Sequence, residues 1–158
     1  MHSAIVLDDR SLANMSEDQL RRSLQAKVDI SVRMAQVFGG QALDFVLFFS
    51  SLIAFTRNAG QANYAMGCVF KDALAQRWGS TGSVPIKTLN WGYWGSLGVV
   101  SSAAYRQRME REGIGSIEPR EAMQAVRTLL ASPLDQMAFI KTLRPMVLDG
   151  NAEADQWV

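Results

Sequence analysis

Apolar and polar positions along the chain change period several times, and each change marks an element. Ser16 precedes Glu17 and Asp18, a capping hydroxyl followed by acidic residues in a first turn, and Leu20, Leu24, Val28 and Val32 then recur every four residues. This spacing predicts one helix running to about Val37, stopped by Gly39-Gly40. Phe45 to Phe49 is a continuous apolar run closed by Ser50-Ser51, the pattern of a strand covered on both faces. From Ala62 to Trp78 the helical period returns, with Tyr64, Cys68 and Ala75 beside Phe70, Leu74 and Trp78 on neighbouring faces. Ile86 to Trp91 predicts a second buried strand, followed by a glycine-rich loop from Gly92 to Gly98. Ala103 to Glu112 reads as a polar helix, and Glu118-Pro119 opens another to about Leu130, with proline in the first turn where its missing N–H costs nothing. Gln136 to Lys141 is a last short strand. The opening residues, through Ile5, Val6 and Leu7 to Asp8-Asp9, look like the end of a strand, so the chain is expected to open in mid-fold.

Strands separated by helices of this length connect as parallel crossovers. The fold class is therefore α/β, a doubly wound parallel sheet with helices on both faces. Ligands in such sheets sit off the carboxyl ends of the strands, which places Ser51 and the loop after Trp91 on the functional edge. Residues 1–145 read as the folded unit and 146–158 as a linker or tail.

Composition narrows the partners. The 158 residues are 48% hydrophobic and 20% charged, the balance of an ordinary globular domain. Sixteen basic and fifteen acidic residues are mixed along the chain, with no basic block to track phosphates, so no nucleic acid is expected. One cysteine and one histidine, Cys68 and His2, exclude an internal disulfide and a zinc set, so no metal is expected. No apolar stretch is long enough to span a membrane, and the start lacks the basic flank of a signal peptide. These features together read as a cytoplasmic protein with no membrane partner.

The candidate chemistry lies between Ser51, on a strand end, and Tyr64, in the first turn of the next helix. Singly, each has a plain structural reading, since a serine can end a strand and a buried tyrosine usually finds a partner. At this spacing the two hydroxyls can aim at one carbonyl oxygen. An ordinary tyrosine, with a pKa near 10, is a poor acid at neutral pH and needs a cation nearby.

Ser51, Tyr64 and Gln61-Ala62-Asn63-Tyr64-Ala65 together resemble the short-chain dehydrogenase/reductase superfamily. Lys27 in Ala26-Lys27-Val28-Asp29 and the run Leu89-Asn90-Trp91-Gly92-Tyr93-Trp94-Gly95 narrow the resemblance to the ketoreductase domain of modular polyketide synthases, from about Ala4 to about Lys141. Phe70-Lys71-Asp72-Ala73 and Gly113 to Pro119 are similar to ketoreductases of synthases whose acyltransferases act in trans.

The resemblance implies the C-terminal half of a Rossmann-like fold and a reduction. A β-ketoacyl thioester, carried on the phosphopantetheine arm of an acyl carrier protein, would be reduced to the β-hydroxyacyl thioester with NADPH, among other synthase domains as partners. Tyr64 matches the proton donor, Ser51 the serine that holds the ketone oxygen, and Lys27 the lysine that synthase ketoreductases carry on the preceding helix. Its ammonium is expected to lower the phenol pKa by about a unit or more. Asn90 and Gly92 are expected beside the cofactor. Leu7-Asp8-Asp9 resembles the fingerprint of B-type stereocontrol, and Met66, where another subtype has proline, makes it B1-like; Gln61 and Trp94 join that stereocontrol set.

Two departures bear on activity. Cys68 stands where the family usually has asparagine, and a thiol cannot donate and accept as an amide does, an expected cost of about 1 to 3 kcal/mol. The glycine-rich turn and helix start that cradle a pyrophosphate do not occur in these residues, and the glycine spacing from Gly92 to Gly98 does not replace them. This chain alone is therefore expected to bind NADPH weakly or not at all. The alternative reading is a catalytically inactive, truncated remnant with a structural or docking role in a synthase.

Overall fold

The computed structural model describes residues 1–56, 58–82, 84–96 and 102–145. Three strands, β1 (Val46–Ser51), β2 (Ile86–Trp91) and β3 (Gln136–Phe139), form a parallel sheet in the order β1-β2-β3. Around it lie α1 (Glu17–Gln25), α2 (Val28–Phe38), α3 (Ala62–Gly79), α4 (Ala103–Arg111) and α5 (Pro119–Ala131). Among the described residues no helix is long and apolar enough to cross a membrane.

Alternating side chains of the strands face opposite layers, as pleating requires. Leu47, Leu89 and Trp91 point to one side and pack with Ile117 and with Ala122, Ala125 and Leu129 of α5. Val46, Phe48 and Ile86 point to the other and pack with Ala75 and Trp78 of α3, flanked by Met34 and Ala35 of α2. Full burial of a leucine such as Leu89 or Leu129 stabilises by about 2 kcal/mol. The sheet thus carries helices on both faces, as the apolar runs predict. Ser51 pairs with Trp91, and Trp91 with Phe139, so the carboxyl ends of all three strands form one row.

The predicted first helix is two helices. Ser16 caps α1 by accepting from the Gln19 N–H at 3.3 Å, while Gln19 reaches back to the Ser16 N–H at 3.0 Å. At the junction the Lys27 N–H bonds to Leu24 O at 2.9 Å, three residues back, and this tighter turn ends α1 before α2 begins at Val28. The step changes which face is inward. The fourfold apolar positions are only half-buried, whereas Ser23, Lys27 and Ser31 are buried.

Two other boundaries differ. β3 ends at Phe139 because the chain beyond it turns to Gly113-Ile114-Gly115: Lys141 O accepts from the Gly115 N–H at 2.8 Å, and Thr142 bridges Ile114 antiparallel. The opening segment is paired at one residue, His2, whose N–H donates to Leu47 O at 2.8 Å and whose carbonyl accepts from the Phe49 N–H at 2.9 Å. Ile5, Val6 and Leu7, expected as a strand end, run outside the sheet. The expected tail, 146–158, and the end of the glycine-rich loop lie outside the described residues.

Candidate active site

β1 ends at Ser51, whose side chain caps the short 3-10 turn that follows, accepting from the Ile53 N–H at 3.3 Å and donating to Trp91 O at 3.4 Å. α3 then starts at Ala62 and puts Tyr64 in its first turn. Lys27 enters from the junction of α1 and α2 with only 2% of its surface exposed, and its Nζ lies over the Tyr64 ring, 4.1 Å from the centroid. The phenol, alcohol and ammonium expected from three separate segments therefore meet at one end of β1.

The electrostatics differ from the expectation. Burial pushes the Tyr64 phenol above its ordinary value, the negative forms of Cys68 and Asp9 push the same way, and only the Ser51 hydroxyl strongly opposes them. The net shift is opposite to the expected one, because the phenol has lost much of its water and that loss outweighs the cation on the ring face. Lys27 is itself held below the usual lysine value by burial, against the pull of Cys68, Asp72 and Asp9. Burial likewise raises the Cys68 thiol, with Lys27 and Lys71 acting against it.

Cys68 is fully buried one helical turn after Tyr64, close enough to Lys27 for each to act on the other's charge. The residue before it explains how the lysine arrives. A Cβ at Gly67 would lie 2.7 Å from Lys27 Cδ and 3.2 Å from its Cβ, so the stem crosses α3 where a side chain is missing. Replacing Gly67 by Ala should favour the helix by about 1 kcal/mol on propensity alone. It should nevertheless lower turnover by about tenfold, because a buried stem must shift and carries its ammonium off the ring. Steady-state kinetics beside a thermal melt of G67A checks both signs.

Beneath these groups lies a polar network that sequence reasoning missed. Asp72 Oδ2 accepts from Asn90 Nδ2 at 2.8 Å and Gln136 Nε2 at 3.2 Å, Gln136 also donates to Asn90 Oδ1 at 2.8 Å, and Asn90 donates to Ser51 O at 3.1 Å. Burial raises the Asp72 carboxyl, while Ser50, Asn90, Lys71 and Gln136 lower it. Lys71 is fully buried, donates to Phe49 O, and is brought down to about 8, first by burial and then by Lys27. The missed signal is helical spacing: Lys71 and Asp72 follow Cys68 by three and four residues and share its inward face.

Two positions expected beside the cofactor lie at the carboxyl end of β2 and also make protein contacts. Asn90 is fully buried and its amide is spent on Asp72, Gln136 and Ser51 O. Gly92 is held against the end of β3, donating to Phe139 O at 2.8 Å, and a Cβ there would meet that oxygen at 3.0 Å. The Asn90 amide and the Gly92 N–H thus support the strand ends.

Of the stereocontrol set, the opening segment crosses the start of α3. Gln61 Nε2 donates to Asp9 Oδ2 at 3.0 Å, Asn63 Nδ2 donates to Asp8 O at 3.2 Å, and Asp8 pairs with Arg22 at 2.8 Å, which holds its carboxyl below the usual range. Leu7 precedes these contacts on the same half-buried stretch. Trp94 packs edge-on against Trp91, with centroids 5.2 Å apart, on the α5 side. No group of three or more His, Cys, Asp or Glu gathers as metal ligands among the described residues.

The family described as KR domain matches residues 1–96. The chain is 56% identical over 156 residues to polyketide synthase PksN of Bacillus subtilis (strain 168), covering 99% of this chain and 3% of that protein. It is 51% identical over 144 residues to polyketide synthase ThaG of Burkholderia thailandensis, covering 91% of this chain and again 3% of the relative. A solved structure of A-type ketoreductases from a modular polyketide synthase superposes with a TM-score of 0.82 at 26% identity, covering 90% of this chain and 30% of that one. With the three-stranded parallel sheet and the cluster at the end of β1, these similarities show that the chain belongs to the KR domain family, the ketoreductases of polyketide synthases, and spans a small part of the length of such synthases.

Proposed function

We propose that this chain supplies the proton-donating half of a ketoreductase that reduces a β-ketoacyl thioester on an acyl carrier protein to the β-hydroxyacyl thioester. NADPH, when bound, supplies the hydride. The observation that carries the reading is the Lys27 ammonium 4.1 Å from the Tyr64 ring centroid, beside Ser51 at the carboxyl end of β1. Burying an ammonium to 2% exposure costs several kcal/mol, and use of its charge beside the phenol accounts for that cost.

The residues then have distinct tasks. Ser51 holds the ketone oxygen by turning its one hydroxyl proton from the long contact with Trp91 O to that oxygen, while it still accepts from the Ile53 N–H. Tyr64 donates its proton to that oxygen as negative charge develops there. An upward-shifted phenol keeps this proton throughout the neutral range, and transfer is driven by the alkoxide, a far stronger base than the phenolate left behind. Lys27 stabilises the phenolate once it forms. The fit to a nicotinamide cofactor rests on this donor set alone, since Asn90 and Gly92 are committed to the protein and the phosphate-binding turn is not among these residues. Asp8 and Asp9, fastened to Asn63 and Gln61, set the side from which the acyl chain enters, with a B1-like outcome.

The test joins this chain to the upstream half of its domain and supplies NADPH with a β-ketoacyl thioester of N-acetylcysteamine. Formation of the β-hydroxyacyl thioester is the expected result. A folded, NADPH-binding protein that forms no alcohol would leave the structural-remnant reading in its place.

A further inference from the structure

We infer that Lys71 is a positioning residue for the segment that governs entry to the site, acting by taking a main-chain hydrogen bond that the opening strand gives up. The inference rests on the reading of the site as a ketoreductase, and it concerns a buried ammonium that reading leaves without a task.

The argument starts from the ladder. In a parallel pair, one residue of the edge strand bonds to the two residues flanking its partner, and the same pattern repeats two residues on. His2 does this around Phe48, donating to Leu47 O and accepting from the Phe49 N–H. The next ladder bond belongs to the Ala4 N–H and the Phe49 carbonyl. It is not made. The Ala4 N–H turns back to His2 Nδ1 at 3.2 Å, and the Phe49 carbonyl accepts from Lys71 Nζ instead.

This exchange has a directional result. With the Phe49 carbonyl already satisfied, continued pairing along β1 would have to displace a fully buried ammonium, so the opening segment departs at Ala4. Its new path crosses the start of α3, where Asp8 O meets Asn63 and Asp9 meets Gln61. Without Lys71 the ladder partner of Phe49 O is the Ala4 N–H, which would exchange His2 Nδ1 for that carbonyl, and zippering there would pull residues 5–9 along the sheet and away from Gln61. The groups facing the ammonium agree with a charge held for a structural purpose. Asp72 and the Cys68 thiol favour it, Lys27 opposes it, and His2 beside it is brought down to about 4, first by burial and then by Lys71.

The test uses the joined ketoreductase with Lys71→Met, which keeps the stem and removes the donor, and Lys71→Leu, also without a donor, in case the first variant does not fold. Gln61→Ala serves as a cut at the far end of the same segment. Amide exchange of residues 3–9 should change by at least about fivefold in the Lys71 variant while α5 is unaffected, a local response and not a global one. In the same proteins the ratio of the two alcohol epimers should erode in both the Lys71 variant and Q61A, with kcat reduced by less than about tenfold. Unchanged exchange over residues 3–9 overturns the inference whether or not the protein turns over. An epimer ratio lost in Q61A and kept in the Lys71 variant also overturns it, and leaves the ketoreductase reading standing. An unsubstituted protein that forms no alcohol overturns that reading, while the exchange result still decides the role of Lys71.

Discussion

Tyr64→Phe should lower kcat of the joined ketoreductase by about 10³-fold, in the middle of the range that a positioned general acid contributes, with KM changed by less than about threefold. The change removes one oxygen from a ring that also packs under Lys27, so the ring face and its cation contact remain. Stability should stay within about 0.5 kcal/mol, since the change removes one oxygen from a side chain that keeps part of its surface exposed and opens no apolar cavity. Single-turnover measurement of NADPH oxidation against a thermal melt separates the two. Turnover equal to the parent would show that another group delivers the proton and that Tyr64 is a packing residue.

Lys27→Met should separate activity from stability in the opposite sense. Removing the charge that receives the phenolate should cost about 10²-fold in kcat. Stability at neutral pH should hold or rise, because an apolar side chain of similar length replaces a buried ammonium that sits on a ring face, with Asp72 and Asp9 acting on it only through space. The pH dependence gives the sign independently. A lysine whose folded pKa lies below its unfolded value binds fewer protons in the native state between the two values, so stability climbs with pH across that window. Lys27 and Lys71 are both shifted this way, with Lys71 setting a window from about 8 toward the ordinary 10.5. Cys68, raised by burial, titrates with the opposite slope, and losing Lys27 raises it further. K27M should therefore climb less steeply than the parent above pH 8. A steeper climb measured by denaturant titration would contradict the burial of a charged Lys27.

The sheet was legible because Phe45–Phe49 is apolar on both faces and Ile86–Trp91 carries Ile86, Leu89 and Trp91 among its polar residues, with serines or a glycine closing each run. Ser51 and Tyr64 were legible from their places at a strand end and a helix start. The break at Lys27 was not, because Leu20, Leu24, Val28 and Val32 carry an unbroken fourfold period straight through it. The face that turns inward there is serine and lysine, which exposure habits assign to solvent. The same habit hid Lys71 and Asp72. Their burial follows from tertiary partners, Phe49 O, Asn90 and Gln136, which lie between 18 and 64 residues away in sequence. The direction of the Tyr64 shift was missed for a related reason: adjacency to a cation can be inferred from a motif, whereas loss of water depends on everything packed around the ring.

The ammonium seated on the Phe49 carbonyl also protects the molecule from its own kind. An exposed row of strand carbonyls and amides invites a neighbouring chain to add itself, the route to fibrils and to swapped dimers. A newcomer docking along β1 past His2 would meet, at the Phe49 carbonyl, a cation it cannot hydrogen-bond around and would have to expel into water. The lysine is in this sense a stop placed where the pairing of the opening segment with β1 ends, on the stretch of backbone that leads to Ser51.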